Sequence, residues 1–440
     1  MYWALLKQGL ATRRRSLWHA AVLRSGVLTI LVLIALLVGL AVGWREHRLG
    51  QFAQLKKVLN RPTTVAMTAR PGGQDAIHLQ RSVLVGDNGP EFLSATLLPG
   101  RGLNVLQIGA YLPGRGTVNL LASPSLDEAA QRMSGAGSDA NGAASLGMGG
   151  AIEAPWAGRI YSVLAPEGGN LATMWHGVRL ALPADLSPDS RDGAGSRRAT
   201  ATGGLLLRQP SASISTNVMP DGGQAQATFE PGRFDSRWPS STEITSSIVL
   251  SGKSIEIKII ARNTGTTAEP IGLGWHPRFA ILNGHRGDMV LRLPQSERVD
   301  VKDRSTGELS GKVLPVAGSR YDFTGPAGAR LGELSLDETF VHLHRNLMES
   351  GPIAELRDPE DGYGLRITAL TPTIKAFRID APLDGSFLSI EPQFNVDDPF
   401  GREWPKDEDT GMVVLQPGQT TQWYIRMEIF SLNSDPAEHL

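Results

Sequence analysis

The 440-residue chain has no cysteine, which excludes disulfides, thiolate nucleophiles and zinc–thiolate sites. It also lacks an excess of charge of one sign: 43 Lys and Arg stand against 44 Asp and Glu. A net charge of −1 sets up no surface-wide field that would gather DNA, RNA or anionic lipid, so no nucleic-acid partner is expected. Long helical periodicity is scarce beyond the first 45 residues; "SLDEAAQRM" (Ser125 to Met133) is one short exception.

One long apolar run is present. Ser25 to Trp44, "SGVLTILVLIALLVGLAVGW", carries no charge. About 20 helical residues at 1.5 Å each can cross a bilayer core of roughly 30 Å. Lys7, Arg13, Arg14, Arg15 and Arg24 precede it, so the positive-inside bias puts residues 1–24 in the cytoplasm. The expected arrangement is one N-terminal transmembrane helix at 25–44 and a linker at 45–61. A β domain at 62–433 and a tail at 434–440 follow, outside the cytoplasmic (inner) membrane in the periplasm or cell exterior. The alternative is a cleaved signal peptide, but its apolar region is normally shorter and no convincing small-x-small site precedes Trp44.

From about Pro62 the texture is all-β. "SIEIKIIARN" (Ser254 to Asn263) and "TQWYIRMEIFSL" (Thr421 to Leu432) alternate with period two, and Gly, Pro, Asn and Asp clusters divide such segments. Sheets packed face to face are expected. Two stretches, Ser134 to Ala151 and Ala184 to Gly204, read as mobile loops by composition.

Chemistry-bearing residues recur beside turn signals: Arg159 in "APWAGRI", His176 in "MWHGVRL", His276 in "IGLGWHPRF", Asp337 in "LSLDETF" and Glu391 in "LSIEPQFNVDDPFG". Taken singly, each has a plain reading. A strand-end glutamate is usually solvated, a histidine between Trp and Pro is usually a packed ring, and "LDE" is an ordinary turn. "VHLH" (Val341 to His344) invites a metal reading, with His342 and His344 on one strand face, but no third ligand has matching spacing. The acidic cluster Asp397, Asp398, Glu403, Asp407, Glu408 and Asp409 lacks calcium-loop spacing and reads as a solvated loop.

In this order the motifs resemble the aldose 1-epimerase (galactose mutarotase) family. "PWAGRI" resembles its Pro-x-x-Asn-Arg-Ile stretch, with Gly158 where Asn is usual. "WHG" and "GWHPRF" resemble its two histidine segments, the second with Arg278 in place of an aromatic. "LDETF", "SIEPQF" (with Phe394 where Thr is common) and "VVLQPGQT" continue the series. The resemblance implies a β-supersandwich with a sugar cleft and no metal or organic cofactor. It implies Glu391 as the base that takes the anomeric hydroxyl proton and His276 as the acid that protonates the ring oxygen. Arg159, His176 and Asp337 would bind sugar oxygens, with Trp175, Trp275 and Phe279 beside the cleft. One base and one acid across the C1–O5 unit are also what hemiacetal opening needs. The expected partner is a small sugar or a glycan end; oligomeric state is unspecified. Three alternatives stand beside the epimerase: a non-catalytic carbohydrate-binding protein, a hexose-6-phosphate relative using Arg278, and a glycosidase with Glu391 and Asp337 as its carboxylates.

Overall fold

A computed structural model describes residues 36, 69–81, 89–163, 169–185, 198–304 and 306–432. All but residue 36 belong to one compact unit, Thr68–Leu440. The expected membrane span at 25–44 lies outside the described residues except for Leu36. The segments 1–24, 45–61 and 434–440 lie outside them as well. Among the described residues no helix is long and apolar enough to cross a membrane.

The alternating segments form two large antiparallel sheets. Ser254–Asn263 pairs Thr242–Leu250 on one side and Thr420–Ser431 on the other, within a nine-stranded sheet. In Thr242–Leu250 every second side chain is buried, as period two requires for a sheet with one covered face. The second sheet has twelve strands. Its centre runs in the order Gly150–Glu153, Gly274–Pro277, Phe387–Gln393, Ala376–Ala381, Leu336–Val341. One apolar cluster draws on both sheets, with Ile257, Ile259 and Trp423 from the first and Ile152, Phe377 and Ile390 from the second. The all-β expectation therefore holds for the described residues. The α-helix Leu126–Arg132 starts where "SLDEAAQRM" predicts it, with the Ser125 side chain capping the Glu128 N–H.

Central strands of the twelve-stranded sheet are covered on both faces. Phe387–Gln393 is buried at all seven positions, so Glu391 is fully buried rather than solvated at a strand end. The outer cover includes a second apolar cluster around Trp156, Ile160 and Trp238.

Two composition-based expectations are corrected. The stretch from Ser134 to Ala151 is pinned, because Asp139 accepts two bonds from Arg101 at 2.6 and 2.7 Å and both side chains are 2% exposed. Asp139 also accepts from the Gly135 and Ala144 N–H groups. In the second stretch, residues 186–197 lie outside the described residues, but Arg198–Thr202 forms a strand that pairs with Arg159–Val163.

Candidate functional site

The site is a row of charges across five neighbouring strands. Successive side chains of a strand point to opposite faces. Ile152, Trp275, Ile390, Phe377 and Phe340 point into the apolar core. Their neighbours Glu153, His276, Glu391, Arg378 and the same-parity Asp337 therefore project from the other face, one from each strand. Arg378 and Glu391 sit directly opposite in register.

Arg378 ties the row together. Its Nη1 donates to Glu391 Oε1 at 2.8 Å, its Nη2 donates to Asp337 Oδ1, and its Nε lies 3.7 Å from Asp397 Oδ2. Arg159 closes the row from above, with Nη1 donating to Asp337 Oδ2 at 2.8 Å. Its backbone N–H donates to Asp397 Oδ1 at 2.9 Å. His276 Nδ1 lies 3.1 Å from Glu391 Oε2, yet the pair is off hydrogen-bond alignment and Oε2 has no hydrogen-bond partner among the described residues.

Exposure falls steeply with depth. The Asp337 side chain is 47% exposed, Arg159 28%, His276 9% and Glu391 0%. The carboxylate and imidazole converge, but they touch, and no open sugar-wide hollow separates them. A cavity of about 50 Å³ is bordered by Arg159, Asp337, Asp397 and Tyr161, and one of about 760 Å³ by Tyr161, Asp185, Asp398, Phe400 and Glu403. Neither is lined by Glu391 or His276.

Electrostatics sort the groups. Burial alone would raise the Glu391 pKa, but the Arg378 and His276 charges reverse this and hold it well below the usual carboxylate value. Burial opposes a charged His276, yet the adjacent Glu391 outweighs it and the imidazole pKa rises above 6.5. Partial burial would raise the Asp337 pKa, but the Arg378 and Arg159 guanidinium groups hold it well below the usual carboxylate range. Glu153 goes the other way. Burial, reinforced by the nearby Glu391 charge and only partly offset by His276, raises its pKa far above the ordinary 4.5.

Of the five residues singled out from the sequence, Arg159, His276, Asp337 and Glu391 come together. The structure gives His176 no contact with the other four. It is exposed, at the tip of the hairpin Asn170–Trp175/Val178–Pro183. His176 and Gly177 have φ of 44° and 82°, the two positive values of a type I′ turn, so "HG" here is turn chemistry. The His176 ring stacks on Trp175 at 4.6 Å. Trp275, Phe279 and Phe394 are core residues. Arg278 lies over the Phe387 ring, 3.3 Å from its centroid.

His342 and His344 do not share a strand face, since the strand ends at Val341. His342 instead contacts Glu297 at 2.5 Å and Glu408 at 3.2 Å on the surface. The acidic loop is solvated only in part. Asp397 and Asp398 are buried, and their carboxylates accept from the Arg159 and Tyr161 N–H groups.

Two site residues, Arg378 and Glu153, were not singled out from the sequence, and a third, Asp397, was read only as part of a solvated acidic loop. A signal existed for two of them. "KAFRIDAP" puts Arg378 and Asp380, and "GAIEAPW" puts Glu153, inside an apolar strand, where an unpaired charge is costly. Asp397 carried no such signal.

A family profile described as Aldose 1-epimerase matches residues 215–428, a span that includes His276, Asp337, Arg378 and Glu391 but not Glu153, Arg159 or His176. No curated protein matches. Solved structures do. A galactose mutarotase-like protein from Clostridium acetobutylicum is 13% identical with a TM-score of 0.59, covering 80% of this chain and 98% of its own. An aldose epimerase homologue from C. elegans is 16% identical with a TM-score of 0.58, covering 82% and 99%. A galactose 1-epimerase from Lactobacillus acidophilus is 15% identical with a TM-score of 0.55, covering 81% and 99%. The described domain thus has the galactose mutarotase-like fold.

Proposed function

We propose that the chain is an aldose 1-epimerase-like isomerase that interconverts the α and β anomers of a free aldose. The observation that carries this is the contact between Glu391 and His276. A buried carboxylate kept ionised, with one unbonded oxygen, faces an imidazole kept protonated above its ordinary pKa. These are the two protonation states that ring opening requires. Glu391 Oε2 takes the proton from O1–H, the O1–C1 bond becomes a carbonyl, the C1–O5 bond breaks, and O5 takes the His276 proton. Rotation about C1–C2 and reversal of these transfers deliver the other anomer. Arg159 and Asp337 bind sugar hydroxyls at the exposed end.

The sugar must part this pair to react, and the Arg159–Asp337 bridge is the cover it displaces. That bridge is partly exposed, so opening it costs about 1 kcal/mol or less. We further propose that the domain faces the periplasm or cell exterior on the 25–44 span. Membrane fractionation with protease protection of the full chain tests this, and a carbonate-extractable chain would overturn it.

Anomer exchange by NMR across a panel of free aldoses tests the activity. No rate above the spontaneous one for any sugar removes the enzyme. A second reading, a carbohydrate-binding protein without catalysis, is favoured by one observation: Glu391 has no exposed surface. Saturable glycan binding without rate enhancement would select it.

A further inference from the structure

The row contains one carboxyl group, Glu153, that neither of its guanidinium groups contacts. Arg378 is shared among Glu391, Asp337 and Asp397, and Arg159 binds Asp337. Glu153 has no ion-pair partner among the described residues. Its Oε2 accepts only the Gly158 N–H at 3.3 Å, and its Oε1 accepts nothing. Glu153 is fully buried.

Further unpartnered atoms lie close by. Glu391 Oε2 is one, and both amide atoms of the fully buried Gln393 are others. One ligand atom each from Glu153, His276 and Glu391 lie within 4.8 Å of one another. Gly274 and Gly203 keep the space around Glu153 open. A Cβ at Gly274 would stand 3.2 Å from Glu153 Oε2, and one at Gly203 would stand 3.1 Å from Oε1.

We infer that Glu153, His276 and Glu391 form a binding site for one first-row divalent cation. The 3.1 Å between His276 Nδ1 and Glu391 Oε2, unaligned as donor and acceptor, suits two adjacent ligands of one ion. Bonds of about 2.1 Å at the tetrahedral angle put ligand atoms about 3.4 Å apart, a few tenths of an ångström beyond that spacing. Glu153 must close on the other two to complete the set. Binding releases the protons of Glu153 and His276 to solvent, and the two carboxylates and neutral imidazole that remain balance a +2 ion. Mixed oxygen and nitrogen donors without sulfur select Zn²⁺ or Mn²⁺ over Cu⁺. The site stands independently of the epimerase reading. The ion takes the lone pairs that ring opening would use, so cation and sugar chemistry exclude each other.

The test is calorimetric titration of the full chain with Zn²⁺ alone, without sugar. A second set of donors, His342 with Glu297 and Glu408, lies on the surface, so the His342→Ala variant serves as the background. One equivalent should bind in that background, and adding Glu153→Gln should weaken it by about 100-fold or more, because even outer-shell changes cost 10- to 100-fold. Absence of binding at millimolar Zn²⁺, or binding that Glu153→Gln leaves unchanged, overturns the proposal. If Glu153→Gln does not fold, Mn²⁺ EPR of the His342→Ala chain decides: coupling to one imidazole nitrogen supports the site, and its absence overturns it. Because no step reads sugar turnover, a failed epimerase assay leaves the outcome intact.

Discussion

Arg378 and Glu391 stand directly opposite each other on neighbouring strands and are joined at 2.8 Å with 3% and 0% of their side chains exposed. The guanidinium is the only fixed cation in contact with Glu391 among the described residues, and it also serves Asp337 and Asp397. Replacing it leaves buried carboxylates unpaired. Arg378→Met should therefore destabilise the domain by about 3–5 kcal/mol, the range for breaking a buried pair from one side. Urea unfolding of the variant checks this, and a loss under about 1 kcal/mol would contradict the network.

Glu391→Gln keeps the shape of the side chain and removes the base. Anomer exchange should fall by about 10²- to 10⁴-fold while the fold persists by circular dichroism. In the unaltered chain the pH profile should be flat between two limbs. The acid limb lies below the ordinary 4.5, because the Glu391 pKa is lowered and the carboxylate survives to lower pH. The alkaline limb lies above 6.5, because the His276 pKa is raised and the imidazolium persists to higher pH.

Away from the site, Glu269 is buried with one oxygen bonded to Thr242 and the other unpartnered. Burial pushes its pKa up to about 7. A raised carboxyl pKa means the folded state holds the proton longer than the unfolded state. Its contribution is therefore intact below about 4.5 and is lost as pH rises toward 7. The loss is about 3 kcal/mol at pH 8, from the size of the shift. Glu269→Gln should recover most of it, seen as a melting temperature that no longer falls between pH 5 and about 8.

The Arg101–Asp139 pair supplies a further check. Both side chains are buried, so Asp139→Ala should cost about 3–5 kcal/mol in urea unfolding. A mobile loop would tolerate the same change with almost no effect.

Those four positions also mark where the sequence was legible. Period-two alternation in Ser254–Asn263 and Thr420–Ser431 foretold strands because one face of that sheet meets solvent. The central strands of the other sheet hide both faces, so alternation no longer separates core from surface. Glu391 and Arg378 could not be seen as buried partners from their spacing. Motif order picked out four residues that the structure brings together. The fifth, His176, lies apart from them, at a two-residue hairpin turn of the kind that His-Gly suits. Asp139 escaped notice because its partner, Arg101, lies in another element, and small-residue composition says nothing about one pinning ion pair.

Gly158, where the motif that "PWAGRI" resembles has asparagine, has a φ of 66°, and a Cβ there would come within 2.3 Å of Asp397 Oδ1. The Asp397 carboxylate thus occupies the volume an asparagine side chain would enter. Restoring asparagine alone would drive it off the Arg159 amide and away from Arg378. The two positions are therefore coupled by steric exclusion, so that an asparagine at 158 fits only if the side chain at 397 gives way.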